Sequence, residues 1–333
     1  LSKSVLVTRR IPEIGIRILN KAGYDVEVHA EDRPMRYEEL MHAVEGKDGI
    51  LCLLTDRIDG SILHKAGETV GIANYAVGYE NIDIEKATRL GIMVTNTPGV
   101  LTETTADLAW ALVMTAARRI VEGDALVRSN GFRGWAPMLL LGSDVYGKTL
   151  GIVGSGRIGC AVARRAIGFE MPILYYSRHT CPEIESIGGR AVSLSELLSR
   201  SDYVSLHVSL NPESFHLIDG DRLKEMKSSA ILINTSRGPV VDEEALVNAL
   251  SSGNISAAAL DVFENEPDIH PGLFNLPNVI LAPHIGSASR ETREKMAITA
   301  AGNLHSMLSG RRPPDLVNEA VLSHPRCTNI TTS

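Results

Sequence analysis

The run Lys148-Thr149-Leu150-Gly151-Ile152-Val153-Gly154-Ser155-Gly156-Arg157-Ile158-Gly159 constrains the fold more than any other stretch of the chain. Thr149–Val153 is short and apolar and reads as a buried parallel strand, and Cys160-Ala161-Val162-Ala163-Arg164-Arg165-Ala166 behind it is helix-forming. Between them stands Gly-x-Gly-x-x-Gly. Gly154 permits a tight turn out of the strand, Gly156 has no Cβ and lets a pyrophosphate approach the backbone, and Gly159 lets helix and strand pack closely. Unpaired N–H groups at the helix start then face the phosphate charge. Glycine-rich turns are common, but the flanking strand and helix give this one its context. The spacing predicts a dinucleotide site along Gly154, Ser155, Gly156, Arg157, Ile158 and Gly159.

A chain of 333 residues is long for one core, so two domains are expected. Before the glycine loop, short apolar runs alternate with helical stretches: Ser4–Thr8, Val26–His29, Gly49–Leu54, Gly71–Tyr75 and Met93–Thr95 read as strands, and Pro12–Leu19 as a helix. Asn96-Thr97-Pro98-Gly99 is turn chemistry and a boundary. Thr104-Thr105-Ala106-Asp107 resembles a cap for one helix running to about Val127. Residues 129–147 form an irregular loop that carries Phe132 and Trp135. A second series follows, with strands at Thr149–Val153, Ile173–Tyr176, Tyr203–His207, Ala230–Asn234, Ala257–Leu260 and Val279–Leu281. Alternation of this kind predicts α/β architecture with two doubly wound parallel sheets. A helix from Ser289 to Leu308 closes the fold, and residues 323–333 read as a frayed tail.

Ligands of open parallel sheets bind beyond the carboxyl ends of the strands. In the second series those ends carry His207, then Thr235-Ser236-Arg237-Gly238, then Asp261, then His284. Three segments here resemble the D-isomer-specific 2-hydroxyacid dehydrogenases: Ile233-Asn234-Thr235-Ser236-Arg237-Gly238-Pro239-Val240-Val241-Asp242, Ala259-Leu260-Asp261-Val262-Phe263-Glu264-Asn265-Glu266-Pro267 and Ala282-Pro283-His284-Ile285-Gly286-Ser287. Residues 74–83 and 132–147 are most similar to the glyoxylate/hydroxypyruvate reductase branch. The resemblance implies a catalytic set of Arg237, Glu266 and His284. It also implies a Rossmann dinucleotide domain (99–287) inserted into a flavodoxin-like substrate domain built from 1–98 and 288–333. Val77 and Gly78, with Leu54, are implied as substrate contacts, and Thr105, His207 and Gly286 as cofactor contacts beside Thr235, Ser236 and Asp261. Ser209 stands where the family commonly has Pro.

These residue types suit the implied chemistry. Arg offers a bidentate fork to a 2-keto acid's carboxylate. His is the natural proton donor to the alkoxide formed by hydride addition, and a carboxylate beside it fixes its tautomer. Neither the Leu54 nor the Val77-Gly78 segment adds an Arg or Lys, which favours an unphosphorylated substrate such as glyoxylate or hydroxypyruvate. Related D-lactate, phosphoglycerate and phosphite dehydrogenases, and a dinucleotide-sensing co-repressor, are the alternatives.

Cofactor choice rests on the second strand of the later series. In NAD-preferring folds an acid about 20 residues past the glycines binds the ribose hydroxyls. Here Ser177-Arg178-His179 stands instead, so NADPH is expected as the preferred cofactor, with NADH usable; Glu183 and Glu185 lie close by. A net charge of −7 argues against nucleic acid, no apolar run approaches a membrane span, and nothing at the start reads as a signal peptide. The four cysteines are scattered without Cys-x-x-Cys spacing, which fits reduced thiols in a cytoplasmic protein, and no metal-ligand spacing is present. The long helix and the aromatic loop predict a homodimer, in which the family resemblance puts Trp135 at the partner's substrate pocket.

Overall fold

The computed structural model describes residues 2–331. The chain divides into two compact units, residues 1–101 with 288–333, and residues 102–287.

In the first unit the strands are β1 (Ser4–Val7), β2 (Asp25–Val28), β3 (Gly49–Cys52), β4 (Gly71–Asn74) and β5 (Met93–Thr95). They form one parallel sheet in the order β2-β1-β3-β4-β5, the flavodoxin-like arrangement. The strands read as unbroken apolar runs because both faces are covered. Val5, Val7, Leu51 and Ala73 pack on one side with Met296, Ala300 and Leu304 of the helix Arg290–Leu308. Leu6, Ile50, Cys52 and Ile72 pack on the other with Leu40 and Ile62.

The second unit contains β6 (Leu150–Val153), β7 (Ile173–Tyr176), β8 (Arg190–Ala191), β9 (Tyr203–Leu206), β10 (Ile231–Asn234), β11 (Ala257–Leu260) and β12 (Val279–Leu281). The order β12-β11-β10-β9-β6-β7-β8 is that of a doubly wound dinucleotide fold, with one strand added at the edge. The register aligns the carboxyl ends: Val153 with Leu206, Leu206 with Asn234, Asn234 with Leu260 and Leu260 with Leu281. Residues following these strands are therefore neighbours in space.

Several local expectations need correction. The helix expected from Thr104 to about Val127 is two helices, Thr102–Ala117 and Ile120–Arg128. The break lies at Arg119, whose φ is +54°, and the Ala117 carbonyl accepts the Ser143 N–H, at 2.8 Å, in place of a helical donor. Thr104 and Asp107 lie inside the first helix, and Asp107 pairs with Arg165 at 2.7 Å. The tail is docked through residue 331. Cys327 is buried, Arg326 donates to the carbonyls of Gly67, Leu90 and Thr69, and the Arg312 N–H reaches the Thr331 carbonyl. Polar composition hid this, because its anchors are backbone carbonyls. The two-residue strand β8, both residues exposed, is too short to show periodicity.

Candidate active site

The glycine loop leaves β6 with Gly154 at φ +99°, where a Cβ would stand 2.6 Å from the His207 carbonyl oxygen. At Gly159 a Cβ would stand 2.0 Å from the Gly154 carbonyl oxygen. Gly156 differs, since nothing lies within 4 Å of where its Cβ would be. The helix Arg157–Ala166 starts there without a side-chain cap, so its first N–H groups face open space, the arrangement that binds an anion. Ser155, Arg157, Ser177, Arg178, His179 and His207 line one groove with Gly154 and Gly156, and Glu183 lines it too. Ile158 is half-buried and packs its side chain on the core.

His207 is half-buried, with Nε2 2.8 Å from Ser205 Oγ and its buried Nδ1 lacking a protein partner. Burial drives its pKa down to about 3, so the ring is neutral at ordinary pH. Thr235 Oγ1 is likewise buried without a partner. Orphaned polar atoms, an open glycine and a free helix start suit the polar groups of a dinucleotide.

The Arg237 turn is shaped by Asn234 at the end of β10. Asn234 Oδ1 accepts the Ser236 N–H (3.0 Å) and hydroxyl (2.8 Å), and its Nδ2 donates to the Arg237 carbonyl at 3.0 Å. Ser236 is buried and Arg237 half-buried, with Nη1 donating to the Ser236 carbonyl at 2.8 Å. At Gly238 a Cβ would stand 1.8 Å from the Phe263 carbonyl oxygen, so only glycine lets this turn press against the loop that carries Glu266.

That loop is held from three sides. The Phe263 N–H donates to Glu266 Oε1 at 2.9 Å. Glu243 and Glu264 clasp each other: the Glu264 N–H donates to Glu243 Oε1 (2.7 Å) and the Glu243 N–H to Glu264 Oε2 (3.2 Å). His216 Nε2 sits 2.8 Å from Glu264 Oε1.

His284 follows β12 in a strained three-residue turn, with φ +53° and its N–H donating to the Ala282 carbonyl at 3.0 Å. Asp261 holds the turn in place, since its two carboxylate oxygens accept the Ile285 and Gly286 N–H groups, each at 2.7 Å. The Thr105 hydroxyl donates to the Gly286 carbonyl at 3.1 Å. His284 Nδ1 then donates to Glu266 Oε2 at 2.8 Å. Burial pushes the Glu266 carboxyl upward, but the hydrogen bond from His284, the imidazole's charge and Arg237 outweigh it, so Glu266 lies below the usual carboxylate range. For Asp261 burial prevails and the pKa is raised, against the two backbone N–H groups.

In the first unit, Leu54 is exposed and Val77 and Gly78 follow β4. Asn96 Nδ2 donates to the Val77 carbonyl (2.7 Å) and Asn74 Nδ2 to the Gly78 carbonyl (2.8 Å). Asn81 Nδ2 holds the Leu53 and Asp56 carbonyls at 3.1 and 3.0 Å, which ties the Leu54 turn to the Val77-Gly78 loop. Trp135 is 85% exposed. Sequence reasoning missed the supporting residues Asn74, Asn81, Asn234, Glu243, Glu264 and His216. A strand-terminal Asn was the only signal, because the glutamates meet their partners across 21 residues.

A family model described as "D-isomer specific 2-hydroxyacid dehydrogenase, NAD binding domain" matches residues 110–286. The chain is 52% identical over 328 residues to a glyoxylate reductase of Thermococcus litoralis, covering 97% of this chain and 99% of that protein. The TT0316 protein of Thermus thermophilus superposes with a TM-score of 0.90 at 47% identity, covering 94% of this chain and 99% of that one. An NADPH-dependent glyoxylate/hydroxypyruvate reductase of Sinorhizobium meliloti, solved with NADP and malonate, gives a TM-score of 0.84 at 29% identity, with both chains fully covered.

Proposed function

The chain belongs to the D-isomer-specific 2-hydroxyacid dehydrogenase family, and from that premise we propose that it is a glyoxylate reductase. It reduces a small 2-keto acid, glyoxylate or hydroxypyruvate, to the D-2-hydroxy acid, with NADPH preferred and NADH usable. The observation that carries the reading is the His284–Glu266 pair at 2.8 Å, with the charge of Arg237 bearing on the same carboxylate.

Arg237 holds the substrate carboxylate through its planar fork, which orients the keto carbon. A dinucleotide held by Gly154, Gly156 and the other groove residues would supply the hydride from its reduced nicotinamide. The carbonyl oxygen then gains negative charge, and His284 delivers a proton to it from Nε2, the nitrogen turned away from Glu266. Glu266 stays ionised and fixes the ring and its tautomer through Nδ1. In the oxidation direction His284 takes the hydroxyl proton instead. Residues 1–101 with 288–333 serve as the substrate domain. Its Val77-Gly78 loop offers backbone N–H groups to the carboxylate, and Leu54 faces the substrate.

The same proposal includes a cytoplasmic homodimer. Ile120, Val127, Trp135, Met138, Leu141 and Tyr146 are all more than half exposed within one short stretch of chain, an apolar concentration that marks an interface. Trp135 is assigned to the partner's substrate pocket. Light scattering that returned a monomer at micromolar concentration would refute this assembly. The activity is tested by following NADPH and NADH oxidation over a panel of 2-keto acids. Glyoxylate and hydroxypyruvate are expected to turn over fastest, and a preference for a phosphorylated keto acid would overturn the reading.

A further inference from the structure

Two of the four cysteines scattered through the sequence are neighbours in the fold. Cys160 Sγ and Cys181 Sγ are 3.2 Å apart, whereas Cys52 and Cys327 are buried in the other unit. Cys160 lies in the first turns of the helix Arg157–Ala166, one residue past Gly159. Cys181 ends the loop that leaves β7 through Ser177, Arg178, His179 and Thr180. Parallel pairing of β6 with β7, which sets Val153 beside Tyr176, brings the two segments together. Both thiols are buried, at 5% and 7% exposure, and both line the groove shared with Gly156 and Arg178.

We propose that Cys160 and Cys181 are a redox modification site: a hydroperoxide converts them to a reversible disulfide, which lowers dinucleotide affinity. The functional half of this rests on the groove being the dinucleotide site, while the disulfide itself does not depend on that reading.

In the reaction, one thiol sulfur takes an oxygen from the hydroperoxide. The S–O bond forms, the O–O bond breaks, and the products are a sulfenic acid and an alcohol or water. The second sulfur then attacks the first. The S–S bond forms, the S–O bond breaks, and the oxygen leaves as water with the second thiol's proton. Two thiols are oxidised and one peroxide is reduced. A small dithiol reverses the step by exchange.

The consequence for the groove follows from distance. A disulfide needs its sulfurs at about 2.05 Å, so the pair must close by about 1 Å. Cys181 is strapped on its other side, with its N–H donating to Tyr175 Oη (2.9 Å) and that hydroxyl donating to Glu185 Oε1 (2.7 Å). Closure therefore pulls the exposed Arg178–Thr180 segment toward the helix start and displaces Ser177 and Arg178, which line the groove. Burial raises the Cys160 thiol to about 12, with the hydrogen bond to Cys181 adding to it, so Cys160 itself resists oxidation until peroxide is abundant. A bound dinucleotide shields it further.

The test treats the purified protein with hydrogen peroxide, with and without NADPH, and reads intact mass, thiol count, peptide map and NADPH affinity. The expected product has lost about 2 Da, joins Cys160 to Cys181 in one peptide, forms more slowly with NADPH present, and reverts with dithiothreitol. Its NADPH dissociation constant rises by about tenfold or more. Cys160→Ser and Cys181→Ser, each compared with its own untreated form, show no such rise. Oxygen added at these cysteines without a joined peptide overturns the site. A joined peptide with unchanged NADPH affinity overturns the switch. If the untreated protein fails to bind NADPH, the reading of the groove falls instead, and the mass result still decides the disulfide.

Discussion

His284 Nδ1 and Glu266 Oε2 lie 2.8 Å apart, although the two residues follow different strands and are separated by 18 positions. Neither is placed by its own strand alone. Glu266 is held by the Phe263 N–H, and His284 by the Asp261 carboxylate acting on the next two residues.

In the proposed mechanism His284 carries the proton. His284→Ala is expected to lower kcat by about two to four orders of magnitude while leaving the NADPH dissociation constant unchanged. Stopped-flow and binding measurements check this, and near-normal turnover across pH removes His284 from the mechanism.

Arg237→Lys replaces a planar fork with a point charge. The Michaelis constant for glyoxylate is expected to rise about tenfold or more. Steady-state kinetics at saturating NADPH decide the matter, and an unchanged constant with unchanged kcat dismisses the carboxylate clamp.

Glu243 accepts the Glu264 N–H and so braces the loop that carries Glu266. Glu243→Ala removes the acceptor for the Glu264 N–H and is expected to reduce kcat by about tenfold with NADPH binding intact. Glu243→Gln keeps an acceptor oxygen and should restore most of the rate. Loss of kcat, NADPH binding and melting temperature together, without rescue, would mark a purely structural role.

The proposed cofactor preference rests on the residues at the end of β7. Ser177→Asp combined with Arg178→Ala places a carboxylate where a 2′-phosphate is expected, so kcat/KM should swing from NADPH toward NADH. Glu183 in the same groove is the competing carboxylate. A wild type that already favours NADH, with a ratio the double variant leaves alone, contradicts the assignment.

His207, which lines the glycine-loop groove, makes stability depend on pH. Its folded pKa, about 3, lies below its ordinary value of 6.5, so between those values the unfolded chain binds the extra proton. Stability is complete above pH 6.5 and falls as pH drops through that window. The cost is about 2 kcal/mol between pH 7 and pH 5. Urea unfolding at both pH values, in wild type and in His207→Asn, checks the sign; the variant should lose less on acidification.

The strands, the parallel sheets and the glycine loop were legible in the residues alone, because apolar periodicity and glycine spacing are local properties. Gly154 and Gly159 could be assigned their roles before any coordinate, since steric exclusion of a Cβ depends only on the strand-turn-helix around them. Tertiary structure decided the rest. The break at Arg119 is set by Ser143 capping the Ala117 carbonyl, and the docked tail by Arg326 reaching three distant carbonyls. The Glu243–Glu264 clasp and the Cys160–Cys181 contact likewise join segments 21 positions apart. No periodic pattern marks such pairs, because a hydrogen bond or a thiol contact depends on where the sheet register delivers each side chain, and that register belongs to the whole domain.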